Sequence, residues 1–435
     1  MFNLNSIRTV LQGKSNRDAL TLMTGTGLAQ LIPLVAAPFL SRIYAPEQFG
    51  VLALFAATVS SVSVLATGRY ELAIMLPRKN VDAVNVATLA VALSVVASTM
   101  LLALIYTFNK PISGIFGNGA MSTWLYFVPL AVLLNGIYLS LNYWSNRNKL
   151  YLLMAHRRVL QSGGMSAVQL GMGLVRSDAG GLVIGSIFGQ ALAGGMMLNV
   201  LRHHTPHLWR HIDKRKMWAL AKRYKSCPKL LVPAHMLSAL SIQLPAVFIA
   251  GTFGLAASGF YLFAERLVGM PVSLVSASIG DVFRQEMAEH FAAGENCRAK
   301  FVSTLRKLLA IATPPFILLT IFSPPVFALT FGEKWRISGE YAQLMCPMFY
   351  MHFISNPLSL VAIVAQKNRF ELLWQASLLV VLLAAAALHY FTQINVKYFI
   401  AIFVVISIIF DVVNLAASYR FSCAGDLGPL GRKTT

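Results

Sequence analysis

Residues 83–108 read AVNVATLAVALSVVASTMLLALIYTF, twenty-six positions without a single charge. A helix rises about 1.5 Å per residue, so this run is long enough to cross the ~30 Å hydrocarbon core of a bilayer. Working outward, apolar runs of the same kind recur between short polar breaks. They predict spanning helices at about 20–40, 50–67, 83–108, 123–142, 159–175, 181–201, 231–251, 255–280, 308–331, 341–365, 372–391 and 398–417. The fifth is the most polar, with Gln161, Ser162, Gln169 and several glycines. The fold class expected is therefore all-α: a polytopic membrane protein of about twelve transmembrane helices.

Composition agrees. Of 435 residues 57% are hydrophobic and only 12% charged, with mean hydropathy +0.64. A soluble domain carries about 25% charge, so lipid must solvate much of this chain and no large soluble domain fits between the spans. The net charge of +20 would suggest nucleic acid in a soluble protein. Here it is expected to reflect Lys and Arg on cytoplasmic loops lying against anionic lipid headgroups, and no nucleic-acid partner is expected.

The charge map tests the helix count. With the N-terminus cytoplasmic, the inner segments hold 29 of the 36 Lys and Arg, the outer loops hold 6, and Arg266 lies inside the eighth helix. A miscounted helix would invert everything downstream and spoil this contrast, so an even number of spans with both termini inside is expected. The richest inner loop, 202–230, contains Arg210, Lys214, Arg215, Lys216, Lys222, Arg223, Lys225 and Lys229. It divides the chain into two six-helix bundles, 1–201 and 231–435, and a short amphipathic helix around Met217–Tyr224 is expected to lie on the headgroups. The mixed polar and basic stretch Met1–Asp18 leads into a first helix read as retained, because no clear cleavage site follows. Cys227, Cys297, Cys346 and Cys423 have no C-x-x-C spacing. No metal, cofactor or disulfide framework is expected.

The halves echo one another weakly. Gln30-Leu31-Ile32-Pro33 followed by Phe49-Gly50-Val51-Leu52 in the first half is matched by Gln243-Leu244-Pro245 followed by Ser258-Gly259-Phe260-Tyr261 in the second. Repeated halves are a common way to build a central site that opens alternately to either side.

Leu40-Ser41-Arg42-Ile43-Tyr44-Ala45-Pro46-Glu47-Gln48-Phe49-Gly50 and Gly68-Arg69-Tyr70-Glu71-Leu72-Ala73-Ile74-Met75-Leu76-Pro77 resemble the first turn and the end of the second helix of bacterial polysaccharide-biosynthesis membrane proteins. These are the O-antigen or exopolysaccharide flippases of the multidrug/oligosaccharidyl-lipid/polysaccharide exporter superfamily. Gly259-Phe260-Tyr261, Glu265-Arg266-Leu267, Pro271 and Ile279-Gly280-Asp281-Val282-Phe283 agree with it. The resemblance implies two bundles around a central cavity and alternating access in the bacterial inner membrane. It implies a polyprenyl-diphosphate-linked glycan as cargo, with a polysaccharide polymerase and chain-length machinery as partners.

Ionisable groups at membrane depth are costly and usually line a cavity or pair, so the few present are the site candidates. A diphosphate cargo calls for guanidinium groups, which pair with phosphate bidentately and stay charged. Arg266 is the deepest cation, with Arg69 and Arg42 as further candidates and Glu265 and Glu71 beside them. Ordinary roles compete: Glu265 and Arg266 could brace neighbouring helices, Arg69 and Glu71 could snorkel to the headgroups, and Arg42 could be an interfacial anchor. Gln30 and Gln243 could meet sugar hydroxyls or hydrogen-bond between helices. Asp411, His235 and His352 are ion-coupling candidates. Pro33, Pro38, Pro245 and Pro271 can bend their helices.

No Walker A, G-x-S-x-G or H-E-x-x-H motif occurs. A membrane glycosyltransferase or polymerase would need catalytic residues on a sizeable outer loop, yet the longest, 109–122, carries Lys110 as its only charge. An enzyme is not expected. A cation-coupled drug exporter of the same superfamily, which would favour acidic residues in its cavity, and a purely structural subunit stay open.

Overall fold

The computed structural model describes residues 14–115, 119–204, 211–292, 297–364, 368–392 and 394–422. Residues 1–13, Arg210, the side chain of Asp281 and Cys423 lie outside the described residues. Twelve long helices follow one another: α1 (Lys14–Ile43), α2 (Pro46–Ala66), α3 (Asn80–Ile115), α4 (Val128–Arg147), α5 (Tyr151–Val175), α6 (Ala179–His204), α7 (Val232–Phe253), α8 (Leu255–Ala292), α9 (Arg298–Phe331), α10 (Arg336–Val364), α11 (Asn368–Thr392) and α12 (Val396–Phe421). Each expected span falls on one of them, and no strand occurs among the described residues. Nine of the described helices are long and apolar enough to cross a membrane. The other three are α5, α10 and α11, of which α11 has a shorter apolar stretch at Leu373–His389. The lower hydropathy of α5 and α10 has a chemical reason: they carry the inward-facing Arg157, Gln169, His352 and Ser355 described below.

The chain groups into two units, residues 1–259 and 260–435. In the first, α5 packs extensively on α1 and α6, α3 on α4, and α2 on α4 and α7. In the second, α10 packs on α9 and α12, and α11 lies against α12. Large apolar side chains such as Leu174, Val175, Leu329 and Phe391 stand exposed, as a lipid-facing surface requires. α3 is kinked at Phe108, where φ and ψ are −119° and 22°. Pro111 follows three residues later and deprives the preceding turn of a backbone donor. The prolines at 33, 38, 245 and 271 all lie inside helices.

The first stretch that carries the family resemblance is a packed corner. Pro46 opens α2, and the Gln48 side chain accepts from the Ala45 backbone N–H at 2.8 Å and donates to the Ser177 carbonyl at 2.5 Å. Tyr44 is wholly buried and donates its hydroxyl to the Gln169 carbonyl of α5 at 2.6 Å. Burial, with Asp178 nearby adding to it, pushes the Tyr44 phenol up to about 12. Gly50 sits against the backbone of α8: a Cβ there would strike the Leu255 carbonyl, and a Cβ at Gly259 would strike that of Pro46. The two echoing glycines are thus the contact that lets α2 and the start of α8 touch backbone to backbone.

The second stretch is another corner. Gly68 and Arg69 both turn left-handed, at φ 58° and 59°, a conformation costly for arginine. Arg147 gathers the following loop by donating to the carbonyls of Ile74, Met75 and Arg78 and to the Asn80 side chain. The Tyr70 hydroxyl donates to the Ala221 carbonyl at 3.0 Å. That carbonyl belongs to the amphipathic helix, which runs over Lys214–Arg223 and is capped by Asp213 accepting from the Arg215 N–H at 2.8 Å. Its Leu220 is buried, whereas Trp218 stands exposed with Lys222 over its ring.

In the second unit an aromatic cluster joins α8, α9 and the turn before α10. Phe263 lies 4.1 Å from Trp335 and 5.0 Å from Phe331, centroid to centroid, and Trp335 is fully buried. Buried cysteines outside any disulfide occur at Cys227, Cys297 and Cys346.

Candidate functional site

Three candidates of the first unit, Arg69, Glu71 and His235, gather at the corner between α2 and α3. Arg69 and Glu71 pair with each other at 3.2 Å, and their side chains are 17% and 0% exposed. Neither side chain extends free of the protein. Glu71 is sealed in, and the left-handed turn at Gly68-Arg69 folds the guanidinium back onto it. The pair remains incompletely satisfied, since Arg69 Nε and Glu71 Oε2 are buried without a hydrogen-bond partner. His235, exposed on α7, and Tyr143 of α4 both lie within electrostatic reach of this pair. Three candidates from distant parts of the sequence, Arg69, Glu71 and His235, thus share one place.

Arg42 stands exposed at the end of α1 and makes no ion pair among the described residues. Gln30 and Gln243 are half-buried on α1 and α7. Neither makes the interhelical hydrogen bond weighed for it among the described residues, and the Gln30 carbonyl oxygen is buried without a donor.

In the second unit, Glu265 and Arg266 lie well inside α8, half-buried. Neither forms an ion pair or hydrogen bond among the described residues, so the bracing contacts expected as the ordinary alternative are not made. A carboxylate and a guanidinium at such depth are tolerated facing water or a polar ligand, not hydrocarbon. His352 and Asp411 were considered separately in the sequence, but the fold brings them together. His352 Nε2 of α10 lies 3.2 Å from Asp411 Oδ2 of α12, with the buried Ser355 hydroxyl also on the carboxylate.

One residue escaped the sequence reading. Arg157 is wholly buried in α5. Its guanidinium donates to Asn142 Oδ1 at 2.8 Å, reaches Met197 Sδ at 3.3 Å and stacks 4.1 Å over the Tyr138 ring. Among the described residues no carboxylate contacts it and its Nε lacks an acceptor, and the neighbouring Arg158 bonds Thr26 of α1. A buried guanidinium without a counter-ion is rare because desolvating it costs several kcal/mol, of order 3–5 when a pair is broken. The signal was present: Arg157 follows the apolar run Leu150–Ala155, so it lies inside a helix and not before one. No group of His, Cys, Asp and Glu side chains that could hold a metal occurs among the described residues.

Comparison with solved structures places this architecture. The chain superimposes on a multidrug resistance MATE family transporter of the MOP superfamily, solved in an inward-facing conformation, with TM-score 0.72 and 11% identity over 93% of this chain and 96% of that one. It also superimposes on the lipid II flippase MurJ, in an inward closed conformation, with TM-score 0.69 and 11% identity over 92% and 87%. A MOP superfamily transporter from Pyrococcus furiosus aligns with TM-score 0.55 and 13% identity over 94% and 95%. These neighbours share the all-helical, multi-pass fold of this chain. No curated protein matches the sequence itself. Residues 39–339, well over half of the chain and including both corners described above, match the polysaccharide biosynthesis protein family. The chain therefore belongs to the polysaccharide biosynthesis protein family.

Proposed function

We propose that this protein is a flippase that carries an undecaprenyl-diphosphate-linked oligosaccharide, a repeat unit of O-antigen, capsule or exopolysaccharide, from the cytoplasmic to the periplasmic leaflet of the inner membrane. The observation that carries the reading is Arg266, a guanidinium deep in α8 with no ion pair or hydrogen bond among the described residues. A diphosphate cannot cross hydrocarbon bare. A guanidinium that stays charged and offers a planar fork of donors replaces its water, while the polyprenyl tail remains in lipid. Arg69 serves the same anion near the cytoplasmic end, and Gln30 and Gln243, with their hydrogen-bonding capacity unspent, meet sugar hydroxyls. Family membership and the fold shared with a lipid II flippase support a lipid-linked cargo.

Movement is alternating access between the six-helix halves 1–201 and 231–435. The basic linker 202–230 rests on anionic headgroups and both termini are cytoplasmic. The His352–Asp411 pair carries a coupling proton. The delivered glycan passes to a polysaccharide polymerase and its chain-length machinery.

The test is to deplete the protein and measure which leaflet holds lipid-linked sugar. Accumulation facing the cytoplasm is expected, and its absence would overturn the reading. Full activity in the Arg266→Ala, Arg69→Ala double variant would overturn the site assignment alone. The fold shared with multidrug transporters favours a second reading, export of cationic drugs. Efflux of a cationic dye from proteoliposomes, without movement of lipid-linked sugar, would select it.

A further inference from the structure

α4 crosses the first unit without a lipid-facing side. Leu130 is its only exposed residue, and every position from Ala131 to Arg147 is buried or half-buried. One face is packed: a Cβ at Gly136 would strike the Ser94 side chain of α3, and the Ser140 hydroxyl is spent on the Gly136 carbonyl. Asn135, Tyr138 and Asn142 follow one another at i, i+3 and i+7, which places them on the opposite face. All three are half-buried. Asn135 makes no side-chain hydrogen bond among the described residues. Polar side chains at membrane depth that meet neither hydrocarbon nor a bonding neighbour line a space open to water or to a polar ligand.

Arg157 of α5 flanks this stripe. Its wholly buried guanidinium donates to Asn142 Oδ1 at 2.8 Å and lies 4.1 Å over the Tyr138 ring. A guanidinium only donates, so the amide atom facing it must be the oxygen. The Asn142 Nδ2 donors are then turned away from Arg157, and no acceptor takes them among the described residues. The same contact covers one face of Tyr138, and the other face carries no aromatic or cationic partner among the described residues. The cation itself is sealed behind these two side chains, so the groups left for a ligand are neutral. They suit a sugar better than a phosphate.

We infer that Asn135, Tyr138 and Asn142 bind a sugar of the cargo glycan, with Arg157 as the positioning residue that fixes Asn142 and Tyr138. The inference rests on the flippase reading and adds to it a glycan site on α4. A sugar hydroxyl both donates and accepts, and the two amides offer both kinds of group. The open face of Tyr138 matches the apolar C–H face of a pyranose ring. Positions 135 to 142 cover about 10 Å of helix, the reach of a short saccharide.

The probes are undecaprenyl diphosphate bearing an N-acetylhexosamine and undecaprenyl diphosphate bearing no sugar, offered in equal amount to the full-length protein in detergent micelles. Native mass spectrometry reads the ratio of the two bound forms. The unaltered protein is expected to favour the glycosylated lipid about tenfold, a ratio that one or two net hydrogen bonds supply. Asn135→Leu removes an amide that bonds nothing in the described protein and should lower the ratio several-fold. Asn142→Asp keeps an acceptor for Arg157 and removes only the donors. It should lower the ratio likewise, with binding of the bare lipid unchanged. Arg157→Met should also lower the ratio, because Asn142 is no longer held; an arginine that only braces the bundle would change stability and leave the ratio alone. An unaltered ratio in Asn135→Leu and Asn142→Asp, or an equal loss of both lipids in them, overturns the site. Bare-lipid binding without a sugar preference in the unaltered protein overturns the site and leaves the flippase reading standing, whereas binding of neither lipid counts against that reading itself.

Discussion

His352 on α10 and Asp411 on α12 meet at 3.2 Å, although fifty-nine residues separate them. The contact joins an imidazole and a carboxylate inside the same unit, with their side chains 34% and 14% exposed. A pair that is neither sealed nor fully open can exchange a proton with water in one state and hold it in another. Coupling energies between such sites run to about 1–3 kcal/mol, or roughly 5–150-fold. Asp411→Asn is therefore expected to lower transport driven by an imposed pH gradient in proteoliposomes by at least about tenfold, with little change in cargo binding. His352→Gln should act in the same direction. An Asp411→Asn variant that still responds fully to the gradient would remove the pair from the coupling path.

The backbone contact between α2 and α8 gives a sharper packing prediction. A Cβ at Gly259 would meet the Pro46 carbonyl, and neither partner is the flexible end of a side chain. Overpacking of this kind costs about 1–3 kcal/mol, so Gly259→Ala should lower the unfolding temperature of the purified protein. Gly163→Ala is the control, because a Cβ there meets nothing within 4 Å. It should be neutral or raise stability by up to ~1 kcal/mol through helix propensity. Equal behaviour of the two variants would mean that the α2–α8 contact is not needed for the fold.

These examples separate what was legible in the sequence from what was not. Helices such as 83–108 could be read because an uncharged run of that length is stable in lipid, and the charge contrast pointed to an even number of them. Gly50 and Gly259 were noticed as an echo, but a linear pattern cannot show that two glycines touch. His352 and Asp411 looked like isolated titratable groups because their pairing depends on α10 packing against α12. Arg69 and Glu71 looked like snorkelling charges, since the left-handed turn at Gly68 that buries them has no strong local signature. Arg157 was counted among the inner-loop cations because the fifth span was expected to begin at 159, whereas α5 begins at Tyr151.

Arg157 makes its own prediction. Its guanidinium donates to Asn142 Oδ1 at 2.8 Å, lies against Tyr138 and has no carboxylate in contact among the described residues. Asn142→Leu strands that donor and should cost about 1–3 kcal/mol. Adding Arg157→Met removes the stranded charge, and replacing a buried charge by an apolar side chain of similar volume is often neutral or stabilising. The double variant is therefore expected to be more stable than Asn142→Leu alone. This is a coupling that a double-mutant cycle on thermal unfolding would read directly. Additive losses would show that Arg157 contributes through packing and that its charge is compensated by other means.

Tyr44 makes the corner at 40–50 testable by pH. Its phenol is raised to about 12 by burial first and by Asp178 second, against an ordinary value of 10.0. Below pH 10 the folded and unfolded chains both hold the proton, and the hydroxyl's contribution is fully present. Between pH 10 and about 12 the unfolded chain releases its proton while the folded chain keeps it, so stability falls as pH rises through this window. Tyr44→Phe loses the 2.6 Å hydrogen bond to the Gln169 carbonyl and should be less stable at neutral pH by about 0.5–1.5 kcal/mol, the net worth of a typical hydrogen bond. Its stability should nevertheless decline less steeply from pH 10 to 12, because the titrating group has gone. Thermal unfolding of both proteins across that range measures the two effects separately. A parallel decline in both would show that Tyr44 ionises as freely folded as unfolded, and that the corner holds through Gln48 and the Gly50 contact instead.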